Sequence, residues 1–481
     1  MLGAVVAEAA ERHGDAICAV DADGMELTFT ELHRRSDARA VALLEWGVTE
    51  GDVVVVDLGP ELDHLVTYAA AAKVGAVTAA INHRLPADAR RRIADSVGPA
   101  VVVDVDTNAR LTGDERDGDR PPPLTHNPGR PVAVVFTSGT TGPPRGATYG
   151  GRQLEFIRQA DTGGVWGGGG PGLAGTSLAH LGPMTKLPGN LTRGGAMHLT
   201  RRWRAADALA ITSESRMAAV AGIPTQVALM LRSPDFESHD LSSVRMVVMG
   251  GAPAAPSLVA EARTRFRAPV VTRYSCTEAG IGLGTAPTDP PEDAEVSVGR
   301  PRGGVDLALR DPDDAIRPIE LEAVGEVCLR SPAQMTGYWH APELTAERLT
   351  PDGFVRTGDL GRIDELGRLV LMGRISEIYI RGGYNVHPVE VESQLSQLPG
   401  VADAAVVGVS DVVMGEVGVA FVVPAPGAAL PDLSSMRAQL EGRLAHHELP
   451  ERLVLLDALP LTPADKVDRA ALRSLASTSP L

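Results

Sequence analysis

Residues 136–146 read Phe-Thr-Ser-Gly-Thr-Thr-Gly-Pro-Pro-Arg-Gly, so that the hydroxyls of Thr137, Ser138, Thr140 and Thr141 are interspersed with Gly139, Gly142 and Gly146. Glycine lets the backbone turn its amides toward a ligand, and hydroxyls add donors, a composition suited to phosphate oxygens. The G-x-x-x-x-G-K-[ST] spacing of the common NTPase loop is absent. Alone, the run is equally a Gly/Thr surface turn. Further chemistry-bearing clusters follow it: Tyr274-Ser275-Cys276-Thr277-Glu278, Arg356-Thr357-Gly358-Asp359, Gly373-Arg374-Ile375-Ser376-Glu377, Arg381-Gly382-Gly383-Tyr384-Asn385, and 460–466 ending in Lys466. Read singly, Asp359 and Glu278 suit turn caps, Arg374 a surface ion pair, Tyr274 a core position and Lys466 a solvated surface.

Their joint order resembles the superfamily of acyl-CoA synthetases, peptide-synthetase adenylation domains and luciferases, over nearly the whole chain. The resemblance implies activation of a carboxylic acid by ATP to an acyl-adenylate, then attack by a thiol to give a thioester and AMP. It implies that Thr137, Ser138, Gly139, Thr140, Thr141, Gly142 and Arg145 hold the β- and γ-phosphates, that Glu278 ligates Mg²⁺, and that Thr277 donates to the α-phosphate. Tyr274 then packs on adenine with Gly250, Gly251 and Ala252. Asp359 accepts the ribose hydroxyls and Arg374 reaches the ribose. Lys466 bridges the substrate carboxylate and the α-phosphate. The C-terminal unit rotates between half-reactions, and Gly382 and Gly383 line the path of the coenzyme A pantetheine. Ser376 stands where relatives carry Asp or Lys as the hinge.

Two positions depart from the pattern. Arg145 replaces the loop lysine, and Asp465 replaces the glycine before Lys466. Arginine is larger and planar, and is less adaptable than lysine as a point charge for phosphate. Asp465 adds a carboxylate where two anions must meet. Both bear on adenylation, which points to an impaired first half-reaction, a chain that mainly runs thioesterification, and a partner enzyme that supplies the acyl-adenylate. The alternatives are a non-catalytic adenylate-binding module and acyl transfer to a carrier-protein pantetheine. Residues 176–191 contain no Asp or Glu to meet an α-ammonium, so a carboxylic acid without a free α-amine is expected, with His180 and Thr225 at pocket positions. The small residues of 173–195 leave room for a bulky hydrophobic acid.

These residues need a scaffold. At 481 residues the chain exceeds one ordinary core. Apolar content of 44% with 22% charged residues fits a globular protein, and a net charge of −16 argues against nucleic-acid binding. Cys18, Cys276 and Cys328 lie far apart, so neither a metal site nor a disulfide framework is expected, and a reducing cytoplasmic setting follows. No signal peptide or membrane span is expected.

Thr28-Phe-Thr-Glu31 has capping-box spacing before a helical apolar stripe. Residues 53–58 read as a buried strand, and helices over 63–73 and 88–97 alternate with strands at 77–81 and 101–103, which implies a parallel sheet. The polar, Pro-rich stretch 104–131 reads as a surface loop, and the glycine run 163–172 as a pocket lid or, by a small margin, a plain connection. The expected fold is α/β. Residues 1–374 would form a large domain of helix-flanked sheets with a β-rich subdomain, and 375–481 a small mobile α/β domain.

Overall fold

A computed structural model describes residues 1–137, 144–314, 316–320, 323–425, 427–428, 432–462 and 466–478. The protein is mixed α/β, a large N-terminal domain carrying several sheets and a small C-terminal domain. One sheet runs in the order Gly337–Tyr338, Gly146–Gly150, Pro131–Phe136, Val77–Ala80, Val53–Val56, Val101–Val103. Its last four strands are parallel, as the alternating pattern implies. Val53–Val56 is buried along its full length, which is why it reads as a continuous apolar run. Gly146–Gly150 pairs antiparallel with Pro131–Phe136, so residues 137–145 connect the two strands of a hairpin.

A second sheet sets Ala219–Gly222, Met246–Gly250 and Val270–Tyr274 parallel. The β-rich subdomain is an antiparallel sheet of Asp306–Arg310, Gly325–Arg330, Val355–Ile363 and Leu369–Arg374. After it, Tyr379–Arg381, Tyr384–Val386, Val401–Asp411, Gly415–Pro424 and Arg452–Leu455 form a separate sheet with its own core.

The capping box forms: Glu31 N–H donates to Thr28 Oγ1 at 3.1 Å and Thr28 N–H to Glu31 Oε2 at 2.9 Å, opening the helix Phe29–Glu45. The expected loop at 104–131 is corrected, because Val105–Asp114 is a helix capped by Asp104. Its Asn, Thr and Gly content is a poor helix signal, and tertiary contact supplies the stability instead. Arg39, fully buried, donates to Glu115 at 2.6 Å, Thr67 at 2.7 Å, Asn108 at 2.9 Å and Thr112 at 2.9 Å. It thereby ties this helix to Phe29–Glu45 and Leu62–Val74. Removing one partner of a buried charge network leaves the other uncompensated. Arg39→Leu is therefore expected to lower unfolding free energy by about 3 kcal/mol, read as a lower denaturant midpoint. An unchanged midpoint would show that the network contributes nothing.

Gly170 and Gly172 of the glycine run line a large cleft. A Cβ on Gly195 would lie 2.0 Å from the Gly170 carbonyl oxygen, so only glycine permits these two backbone segments to touch. Among the described residues no helix is long and apolar enough to cross a membrane.

Candidate active site

A cleft of about 2690 Å³ is lined by residues from both domains. The strand Val270–Tyr274 delivers Tyr274 to it, and the antiparallel register of Val355–Ile363 with Leu369–Arg374 sets Asp359 opposite Arg374. Tyr274 O–H donates to Asp359 Oδ2 at 2.7 Å, and Arg374 Nε pairs with Asp359 Oδ1 at 2.9 Å. Each carboxylate oxygen thus has one fixed partner and retains lone pairs for others. Burial, then the Asp359 charge, pushes the Tyr274 phenol well above its usual value, so it remains a donor. Burial works against the Arg374 charge, but Asp359 and Glu377 outweigh it and raise its pKa.

Lys466 lines the same part of the cleft. Its backbone closes a turn, with Thr462 N–H donating to its carbonyl at 2.7 Å, and Leu461 bridges Val467. Burial holds the Lys466 ammonium below the usual lysine value, Arg374 adds to this, and Asp359 opposes it. Among the described residues no carboxylate forms an ion pair with Lys466.

Glu278 sits at the next position. Tyr338 O–H donates to its Oε1 at 2.6 Å, and Arg348 Nε lies 3.9 Å away. Tyr149 O–H donates to the Thr277 carbonyl, fixing the turn between Tyr274 and Glu278. The Arg145 guanidinium stands 5.7 Å from the Tyr338 ring centre, a cation–π contact. Thr137 N–H donates to the Arg145 carbonyl at 2.9 Å, closing the base of the hairpin. Ser138, Gly139, Thr140, Thr141, Gly142 and Asp465 lie outside the described residues. The Cys276 thiol is pushed up by burial and then by the Glu278 and Asp359 charges, so it stays protonated wall.

Gly250, Gly251 and Ala252 line the cleft beside the Val270–Tyr274 strand, with Gly250 in register with Arg273. His180, at the N-terminus of the helix Leu181–Arg193, and Thr225, on Pro224–Leu231, also line it. Gly382 and Gly383 do not. They form the two-residue turn between Tyr379–Arg381 and Tyr384–Val386, with φ of +57° and +87° that only glycine adopts freely. Tyr149, Tyr338 and Arg348 are contacts that the motifs do not announce. They come from distant segments and carry no spacing signal. Among the described residues no group of three or more His, Cys, Asp or Glu could hold a metal.

Residues 6–339 match the model of the AMP-binding enzyme family, and 390–466 match the AMP-binding enzyme C-terminal domain. The chain belongs to the AMP-binding enzyme family. It is 33% identical to a fatty acid–[acyl-carrier-protein] ligase, ScoC, of Streptomyces coeruleorubidus, over 96% of this chain and 94% of the relative. It is 32% identical to a feruloyl-CoA synthase of an Amycolatopsis species, over 95% of each. In fold it matches the ATP-bound crystal structure of MatB from Rhodopseudomonas palustris, with a TM-score of 0.87 at 24% identity over 99% of each chain. The chain thus sits in an enzyme family whose relatives include acyl-CoA ligases.

Proposed function

We propose that this enzyme is an acyl-CoA ligase that forms a thioester from a carboxylic acid through an acyl-adenylate. The observation that carries the reading is the convergence of Tyr274, Glu278, Asp359, Arg374 and Lys466 on one cleft. In the first step an oxygen of the acid attacks the α-phosphorus of ATP, and the bond to pyrophosphate breaks. Lys466, half-buried and without an ion pair among the described residues, would offset the repulsion between the acid and the phosphate. Asp359, oriented by Tyr274 and Arg374, would accept the ribose hydroxyls. Thr277 would donate to the α-phosphate. Tyr338 engages Glu278 Oε1, and among the described residues no donor reaches Oε2, which fits one bond to a hard cation. Mg²⁺ there would neutralise charge developing on the phosphates.

In the second step a thiolate attacks the acyl carbon and AMP leaves. The boundary proposed between residues 1–374 and 375–481 puts Ser376 at a hinge, and rotation there would bring the Gly382-Gly383 turn to the pantetheine path. The carrier-ligase relative supports a second acceptor, a carrier-protein pantetheine. Rates with free CoA and with holo-carrier separate the two.

The slow half is proposed to be adenylation. Arg145 rests on Tyr338, the residue that holds Glu278, where a lysine would offer a compact charge. The Arg145→Lys, Asp465→Gly double variant is expected to raise pyrophosphate release about tenfold, equivalent to ~1.4 kcal/mol. Thioester formation from synthetic acyl-adenylate should be unchanged. If the natural protein already releases pyrophosphate as fast as it forms thioester, this part of the proposal is wrong. Failure to make thioester from either acid with ATP or synthetic adenylate would leave the adenylate-binding module as the better reading.

A further inference from the structure

One region of the cleft carries charge that the adenylation residues do not use. Arg273 immediately precedes Tyr274 on its strand, and both residues line the cleft. Arg273 Nη1 donates to the carbonyls of Thr272 at 2.8 Å and Thr285 at 2.6 Å, and among the described residues it has no carboxylate partner. Three further cations gather around Asp161. Lys186 Nζ stands 3.8 Å from Oδ2, Arg302 Nη2 is 3.4 Å from Oδ1, and Arg193 Nη1 donates to the Asp161 carbonyl at 3.4 Å. Arg273 is close enough to feel both Arg302 and Asp161. Lys186, Arg193, Arg273 and Arg302 all line the cleft, and Asp161 is not among its lining residues. Glu295 also lines it but is held by Arg263 at 2.7 Å. Lys186 keeps 40% of its side-chain area accessible, and it borders the cleft. Burial disfavours the charge on Lys186, Asp161 opposes this effect and Arg302 adds to it; on Arg273, burial and then Arg302 disfavour the charge and Asp161 opposes them.

Four cations around one carboxylate, in a chain of net charge −16, form a site short of negative charge. Half-buried charge is stabilised by a partner of opposite sign, and guanidinium groups match a carboxylate's geometry. We infer that the substrate is a dicarboxylic acid: one carboxylate is activated at Lys466 and the other is held by Arg273 and Lys186. The inference rests on the ligase reading and replaces the expectation of a wholly hydrophobic acid, since the small-residue segment 173–195 itself contributes Lys186 and Arg193 to the wall.

The test compares straight-chain dicarboxylic acids with their monomethyl esters and with monocarboxylic acids of equal length, as substrates of the full-length protein. The diacid is expected to be preferred by about 100-fold in kcat/KM, the size of two charge-assisted hydrogen bonds. Arg273→Leu and Lys186→Met should each reduce that preference to about tenfold and leave turnover of the monoester and the KM for ATP and CoA unchanged. Lys186→Met serves if Arg273→Leu does not fold, because Arg273 also binds backbone. Equal turnover of diacid and monoester overturns the inference and leaves the ligase reading standing. A raised KM for CoA or ATP in either variant also overturns it, by assigning the cations to the cosubstrate phosphates. If no acid is turned over with ATP, the synthetic acyl-adenylates of the same acids are supplied instead, and failure with those as well removes the ligase reading. Thermal melting then decides the inference alone: stabilisation by the diacid but not the monoester, lost in Lys186→Met, supports it, and equal stabilisation overturns it.

Discussion

Lys466→Ala is expected to slow pyrophosphate release from ATP and acid by about 10³-fold, the effect of removing one preorganised charge from a water-poor site. Thioester formation from synthetic acyl-adenylate should fall by less than about threefold. The asymmetry follows from chemistry. Only the first step brings two anions together, and Lys466 is the half-buried cation near Asp359 and Arg374 that forms no ion pair among the described residues. Thiol attack on a neutral acyl carbon has no such repulsion to overcome. The charged form of Lys466 is the active one, and its pKa lies below the ordinary 10.5. Adenylation should therefore decline on the alkaline side before the usual lysine range is reached, and that limb should be missing in the variant. Equal losses in both half-reactions would remove Lys466 from the proposed role.

Glu278→Gln is expected to cost about 10²-fold in adenylation and to raise the Mg²⁺ concentration needed for half-maximal rate. Glutamine keeps the shape of the side chain and an oxygen that can accept from Tyr338. What it lacks is the negative charge that a hard cation requires. Because the fold contact is retained, the melting temperature should change little, which separates this result from loss of structure. A variant with an unaltered Mg²⁺ requirement would show that Glu278 does not contact the metal.

The scaffold was legible wherever local chemistry dominates. The Thr28–Glu31 capping box is a contact between residues close in sequence, and it forms as its spacing implies. The all-valine run Val53–Val56 can only be buried on both faces. The helix Val105–Asp114 escaped because its own residues favour turns, and what stabilises it is Arg39, far away in the chain. Likewise, no local signal links Tyr338 or Arg348 to Glu278.

The family was legible in the chain alone, and so were the residues proposed to react. Motifs are short because backbone amides, hydroxyls and one or two charges must meet a ligand from a single turn, and such turns are written contiguously. Only the tertiary structure decided how those groups are held and what surrounds them. Asp359 is gripped from both sides by Tyr274 and Arg374, and Arg145 leans on the residue that steadies Glu278. Lys186, Arg193, Arg273 and Arg302 come from three separate stretches of chain and meet only after folding: Lys186 and Arg302 pair with the Asp161 carboxylate, Arg193 binds its carbonyl and Arg273 lies near. Charge summed along a chain says that this protein is acidic. Charge at a point in space depends on which side chains the fold brings within a few ångströms, where a low dielectric magnifies each one.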